Sequence, residues 1–126
     1  RKDFPGGFPG DTRNAFTAEG RTKAENAMFN WLRTLLHWRK GNSVITKGSQ
    51  TQFIPYQGVY VIARQYNGRT VLTVLNGKST AATMQVKRYA EVIGSNARVK
   101  DVLTNRYYDL SKDIELRPRQ VLVLEY

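Results

Sequence analysis

Three carboxylates fall within the first nineteen residues, Asp3, Asp11 and Glu19, in a stretch whose prolines and glycines favour a loop. Two carboxyl groups held close in a cleft can divide acid and base work between them, provided that burial or like charge raises one pKa into a useful range. Nothing beside these three predicts such burial, and Asp3 and Asp11 are residue types suited to the hydrogen bonds of turns and loops. The turn-forming reading is therefore preferred. Other chemistry is scarce. A single histidine, His37, cannot build a histidine-rich metal site. The chain contains no cysteine, which excludes disulfides, thiolate metal sites and thiol catalysis. It also lacks a G-x-S-x-G elbow, a phosphate loop and an H-E-x-x-H pair. No cofactor and no metal are expected.

The bulk properties suit one globular domain, or one domain with an appended element, in 126 residues. No run of about 18 apolar residues encodes a membrane-crossing helix. Charge is the unusual feature, with 20 Lys and Arg against 10 Asp and Glu, a formal net charge of +10. Between Asn26 and Arg88 there is no acidic residue, while Arg33, Arg39, Lys40, Lys47, Arg64, Arg69, Lys78, Lys87 and Arg88 all lie in that span. Such a balance favours contact with polyanions. The cations are dispersed and no nucleic-acid motif accompanies them, so a solvated basic surface, or one facing an acidic neighbour, is preferred.

The chain changes period near Gly41. Thr22-Lys23-Ala24-Glu25 reads as a capping box that starts a helix. Behind it Ala24, Ala27, Met28, Trp31, Leu32, Leu35, Leu36 and Trp38 recur at three- and four-residue steps and form one broad apolar face. Trp31 and Trp38 are expected to pack against a sheet. Arg39 and Lys40 complement the carbonyl end, and Gly41 is expected to take the left-handed position that closes the helix.

Short runs rich in β-branched and aromatic residues follow: Ser43 to Lys47, Thr51 to Tyr56, Val59 to Tyr66, Arg69 to Asn76, Thr83 to Ala90, Ala97 to Thr104, Asp113 to Leu116 and Gln120 to Tyr126. Asn67-Gly68 between the third and fourth supplies the positive φ angles of a tight hairpin turn. A second turn is expected at Asn105-Arg106, before Tyr107-Tyr108. Seven or eight short strands with turn signals between them predict a mainly β fold, an antiparallel β-sandwich, because a lone sheet would leave one apolar face uncovered.

Several segments carry a resemblance. Asp3-Phe4-Pro5-Gly6-Gly7-Phe8, then Asp11, Asn14-Ala15-Phe16 and Gly20-Arg21-Thr22, is similar to the segment near the end of the catalytic barrel in bacterial cyclomaltodextrinases and neopullulanases of the α-amylase family. Leu35-Leu36-His37-Trp38-Arg39-Lys40 resembles the last barrel helix of those enzymes. Phe53-Ile54-Pro55-Tyr56, Gly58-Val59-Tyr60-Val61, Asn76-Gly77 and Leu116 to Leu124 resemble their C-terminal β-sandwich. The resemblance implies two parts: residues 1–41, a terminal loop and last helix of a (β/α)8 barrel, and residues 42–126, the C-terminal sandwich.

It also implies a parent that hydrolyses α-1,4-glucosidic bonds with retention, using carboxylates in motifs upstream of the Asp-Phe-Pro-Gly-Gly segment. None of those motifs occurs here, so the chain itself is expected to have no catalytic residue. It starts within a loop that needs a scaffold on both sides and without methionine, and is expected to be the C-terminal piece of that longer enzyme. Arg1, Asp3 and Phe4 are candidates to line or support the sugar cleft of the intact enzyme; bracing of the loop by Arg1 and Asp3 stands equally beside that role. The expected partners are the upstream barrel and, through it, an α-glucan or maltooligosaccharide. A periplasmic location follows from the resemblance, with a cytoplasmic one also open. For the sandwich, a structural role is preferred over a glucan-binding module built on exposed tyrosines, for which Tyr56, Tyr60, Tyr66, Tyr89, Tyr107 and Tyr108 are candidates. Tyr107-Tyr108 is the most suggestive pair, although adjacent strand residues point to opposite faces. A basic nucleic-acid-binding β-domain is the third and least favoured reading.

Overall fold

The computed structural model describes residues 4–96 and 98–126. Two compact units are present, one ending at His37 and one running Trp38–Tyr126.

The N-terminal unit is a loop joined to a helix, α1, which spans Lys23–Gly41. Its capping box forms as expected. The Glu25 N–H donates to the Thr22 hydroxyl at 3.2 Å, and the Thr22 N–H donates to the Glu25 carboxylate at 2.8 Å. The expected close at Gly41 does not form, because Gly41 continues the helix and is not among the glycines with positive φ. Asn42 is responsible for the difference. Its N–H reaches the Arg39 carbonyl at 3.1 Å, while its side chain accepts from the Val44 N–H at 2.9 Å and opens a second helix.

That second helix, α2, covers Ser43–Lys47, where a strand was expected. Val44, Ile45 and Thr46 favour strands as isolated residues, but an asparagine cap and the burial of Val44 outweigh propensity over five residues. The apolar face of α1 also departs from expectation, since no residue of the helix is buried. Trp31 is 39% exposed, and Met28, Phe29, Leu32 and Leu36 are exposed with it. Trp38 is half-buried and donates its indole N–H to Glu125 at 3.3 Å.

The C-terminal unit is an antiparallel sandwich with unequal layers. The larger sheet is ordered β1-β2-β3-β8-β5-β6, from β1 (Ser49–Gln52), β2 (Val59–Tyr66), β3 (Arg69–Asn76), β5 (Arg98–Asp101), β6 (Tyr107–Asp109) and β8 (Val121–Glu125). The smaller pairs β4 (Ala82–Met84) with β7 (Ile114–Leu116). The hairpin between β2 and β3 closes on Asn67 and Gly68 at φ of 49° and 73°, with Tyr66 paired to Arg69, as the Asn-Gly signal predicts. Only the first part of the run from Thr51 to Tyr56 extends a strand, and Tyr56 makes a single bridge to Val59. Ala97 lies outside the described residues, and the expected strand from Ala97 to Thr104 is seen as Arg98–Asp101.

Alternation places Val59, Val61 and Ala63 of β2, Leu72 and Val74 of β3, and Leu122 and Leu124 of β8 on one inner face, aligned by the register Val61–Val74–Leu122 and Ala63–Leu72–Leu124. Against them pack Met84, Ile114 and Leu116 together with Tyr89, Val92 and Ile93. Each buried aliphatic side chain of this kind contributes about 1.5–3 kcal/mol relative to exposure. The segment carrying Tyr89 corrects another expectation. Only Ala82–Met84 is strand there, followed by a 3-10 turn at Val86–Tyr89 and a short helix, α3, at Ala90–Ile93. Val86, Tyr89, Val92 and Ile93 recur at helical spacing and all are buried, while the Asp113 carboxylate accepts from the Val86 N–H at 2.9 Å.

Candidate functional site

The N-terminal loop is tied down by its own polar groups. The Asp11 carboxylate accepts from the backbone N–H groups of Gly6 at 2.7 Å and Phe8 at 3.1 Å, and those bonds, Phe8's first, hold its pKa below the ordinary value. Asp11 is thus a turn brace. Glu19 is exposed, and Asp3 and Arg1 lie outside the described residues. Phe4, also proposed from sequence to meet sugar, is 56% exposed with its ring 4.8 Å from that of Phe16. Two arginines that sequence reasoning did not single out join loop to helix. Arg13 grips both Glu25 carboxylate oxygens at 2.5 and 2.8 Å and the Gly20 carbonyl at 3.1 Å. Arg21 binds the Asn26 side chain at 2.7 Å and lies 4.0 Å over the Phe29 ring. Glu25 answers with a pKa lowered to about 2, first through Arg13 and then through the Thr22 N–H. No residue-type spacing announces these pairs, because they join positions twelve, five and eight apart from loop to helix.

On the sandwich, one outward row crosses the whole larger sheet: Gln50, Arg64, Val71, Glu125, Lys100 and Tyr107 are successive register partners. Its two ends differ. Around β1 to β3, Arg64 donates to the Ile45 carbonyl of α2 at 2.9 Å and to the Gln50 side chain at 3.0 Å, and Val71 is buried. At the β6 edge, Tyr107 stands 59% exposed with the Arg98 guanidinium 4.3 Å from its ring centroid. Arg98 faces Asp109 across the β5–β6 pair, and Lys100 faces Tyr107. Asp109 is itself held by the Ser111 hydroxyl at 2.6 Å and N–H at 2.9 Å, bonds that lower its pKa.

The remaining tyrosines sort by burial. Tyr89 is a core residue set edge-on to Phe53, and burial raises its phenol pKa. Tyr108 points inward, opposite Val99, and packs on the core. Tyr56 lies under Arg88 at 3.8 Å, and Tyr60 and Tyr66 are half-buried. Among the described residues no group of three His, Asp or Glu side chains is placed to hold a metal, and no helix is long and apolar enough to cross a membrane.

The sequence profile of the cyclo-malto-dextrinase C-terminal domain matches residues 50–125, which takes in the chain from β1 to the end of β8. The chain belongs to that family. Solved structures share its fold. AmyP, solved in complex with maltose, superposes with a TM-score of 0.70 at 18% identity, over 82% of this chain and 21% of AmyP. The noncanonic maltogenic α-amylase AmyB from Thermotoga neapolitana gives 0.62 at 23% identity, over 81% and 26%. The trehalulose synthase MutB from Pseudomonas mesoacidophila MX-45 gives 0.64 at 19% identity, over 89% and 19%. The chain therefore spans about a fifth to a quarter of the length of these proteins.

As a cyclo-malto-dextrinase C-terminal domain, the sandwich has its resemblance motifs at structural joints. Asn76, buried, donates to the carbonyls of Thr80 and Arg117 at 2.9 Å each and accepts from the Lys78 N–H at 2.9 Å, so it ties the turn after β3 to the segment before β8. Arg119, at φ 54°, donates to the Gly77 carbonyl in the same corner. Phe53 fills the core edge while neighbouring Ile54 is 85% exposed.

Proposed function

We propose that this chain is the C-terminal end of an α-amylase-family glycoside hydrolase of cyclomaltodextrinase or neopullulanase type. Residues 1–41 would close its (β/α)8 barrel, and residues 42–126 form a non-catalytic domain that packs on the barrel. The observation that carries the reading is the exposed apolar face of α1, with Met28, Phe29, Trp31, Leu32 and Leu36 all open to solvent. A soluble protein rarely leaves so many large apolar groups on one helix without a partner surface. The family match and the roughly three- to five-fold greater length of the structural relatives support a preceding barrel as that partner.

On this reading the parent performs retaining hydrolysis of α-1,4 bonds in cyclodextrins, pullulan or maltooligosaccharides, with catalytic carboxylates supplied upstream. By the resemblance, Arg1, Asp3 and Phe4 would line or support the parent's sugar cleft, because barrel enzymes place their active sites on loops of this kind. The resemblance alone supports a periplasmic location for the parent, with a cytoplasmic one as the alternative. A reducing-sugar assay on maltoheptaose tests the division of labour: the purified 126-residue chain gives no turnover and the polypeptide extended through the preceding barrel does. Turnover that survives rigorous purification of the short chain would overturn it.

A further inference from the structure

The β6 edge of the larger sheet carries a group of side chains that no packing role explains. Tyr107 is one of the most exposed aromatic residues of the sandwich, yet its ring is not loose, because Arg98 lies across it at 4.3 Å. The guanidinium sits over the ring, and the residue as a whole remains 59% exposed. Lys100 stands directly opposite in the register, Asp109 opposite Arg98, and Ser111 fixes the Asp109 carboxylate. Arg98, Tyr107, Asp109 and Ser111, together with Tyr108, border a shallow depression at the sheet margin, with Lys100 outside its lining. A flat aromatic face is thus ringed by donors and by an acceptor whose position is set in advance.

We infer that this edge is a surface binding site for a neutral oligosaccharide, with Tyr107 as the stacking platform and Arg98, Lys100 and Asp109 as hydroxyl partners. The chemistry excludes the competing ligands one by one. A phosphate or polynucleotide would gain from Arg98 and Lys100 but meet the Asp109 charge that stands opposite Arg98. An apolar helix or peptide would strip water from three charged groups without returning a hydrogen bond to each. A pyranose ring presents an apolar C–H face to the aromatic and hydroxyls that both donate and accept at its rim, which matches a platform bordered by both kinds of group. The identity of the sugar as an α-1,4-glucan rests on the proposed function above.

An amide NMR titration of the 126-residue chain with millimolar maltoheptaose, beside cellohexaose and a single-stranded oligonucleotide, tests the inference. Saturable shifts are expected at residues 98–100 and 107–111 with maltoheptaose, weakened at least tenfold by Tyr107→Ala and retained by Tyr107→Phe. Tyr107 is exposed on a three-residue edge strand, and the dispersion of the Tyr107→Ala spectrum reports directly whether the fold is kept. Silence toward both sugars in a folded sample overturns the site and leaves the barrel-packing reading standing. Shifts with cellohexaose alone keep a sugar platform but overturn its α-glucan assignment. Shifts at these amides with the oligonucleotide alone overturn the neutral-ligand assignment.

Discussion

The Asp101 carboxylate, fully buried on β5, accepts from the backbone N–H of Val123 on the neighbouring strand β8 at 3.0 Å. The same side chain takes the Thr104 hydroxyl at 2.6 Å, and so fixes both the β5–β8 pairing and the turn that follows β5. Asp101→Ala leaves the Val123 N–H buried and unpaired. It is expected to destabilise the sandwich by about 2 kcal/mol, read from urea unfolding. Asp101→Asn, which keeps an acceptor toward Val123, should cost less. Equal losses from the two substitutions would contradict this account of the pair.

Glycines at two turns separate conformational need from steric need. Gly68 has φ of 73° and open space where a Cβ would stand, so Gly68→Ala should cost about 1 kcal/mol through backbone conformation alone. Gly48 has an ordinary φ of −69°, but a Cβ there would run into the Val44 carbonyl and crowd that of Gln65. Gly48→Ala is expected to be the more destabilising change, compared by thermal unfolding of the two variants.

Glu25 gives the N-terminal unit a pH dependence of known sign. Its pKa falls from the ordinary 4.5 to about 2 in the folded chain, so its contribution is complete above 4.5 and is lost as pH falls toward 2. Asp11, lowered by its backbone bonds, acts in the same direction. Amide signals of Thr22 and Glu25 should report loosening of the first turn of α1 between those values. A Glu25 that titrates near 4.5 would show that the Arg13 bond does not persist in solution.

Legibility in the sequence followed the range of the interactions. The capping box needs only Thr22 and Glu25, and the hairpin turn only Asn67 and Gly68, so both were readable. The helix at Ser43–Lys47 was not, because the short-range preferences of Val44, Ile45 and Thr46 oppose what Asn42 and burial of Val44 impose. The expected strand from Thr83 to Ala90 is helical from Val86 onward, where Val86, Tyr89, Val92 and Ile93 follow helical spacing and β-branched content masks the period. At the candidate site, alternation alone placed Tyr107 and Tyr108 on opposite faces. Arg98, Lys100 and Asp109 became its neighbours only through the β5–β6 register, which no spacing along the chain reveals.

The exposed face of α1 predicts a context-dependent mutation. Trp31→Ser should change the stability of the 126-residue chain by no more than about 0.5 kcal/mol, the usual range for surface sites, while reducing self-association in light scattering. In the polypeptide extended through the preceding barrel, the same substitution should destabilise by several-fold more.

Hydrogen exchange of the α1 backbone, compared between the 126-residue chain and the longer polypeptide, tests the central claim most directly. If the face bearing Met28, Trp31, Leu32 and Leu36 packs on an upstream barrel, residues 24–36 exchange readily in the short chain and become strongly protected in the long one. Identical, fast exchange of those residues in both would contradict it.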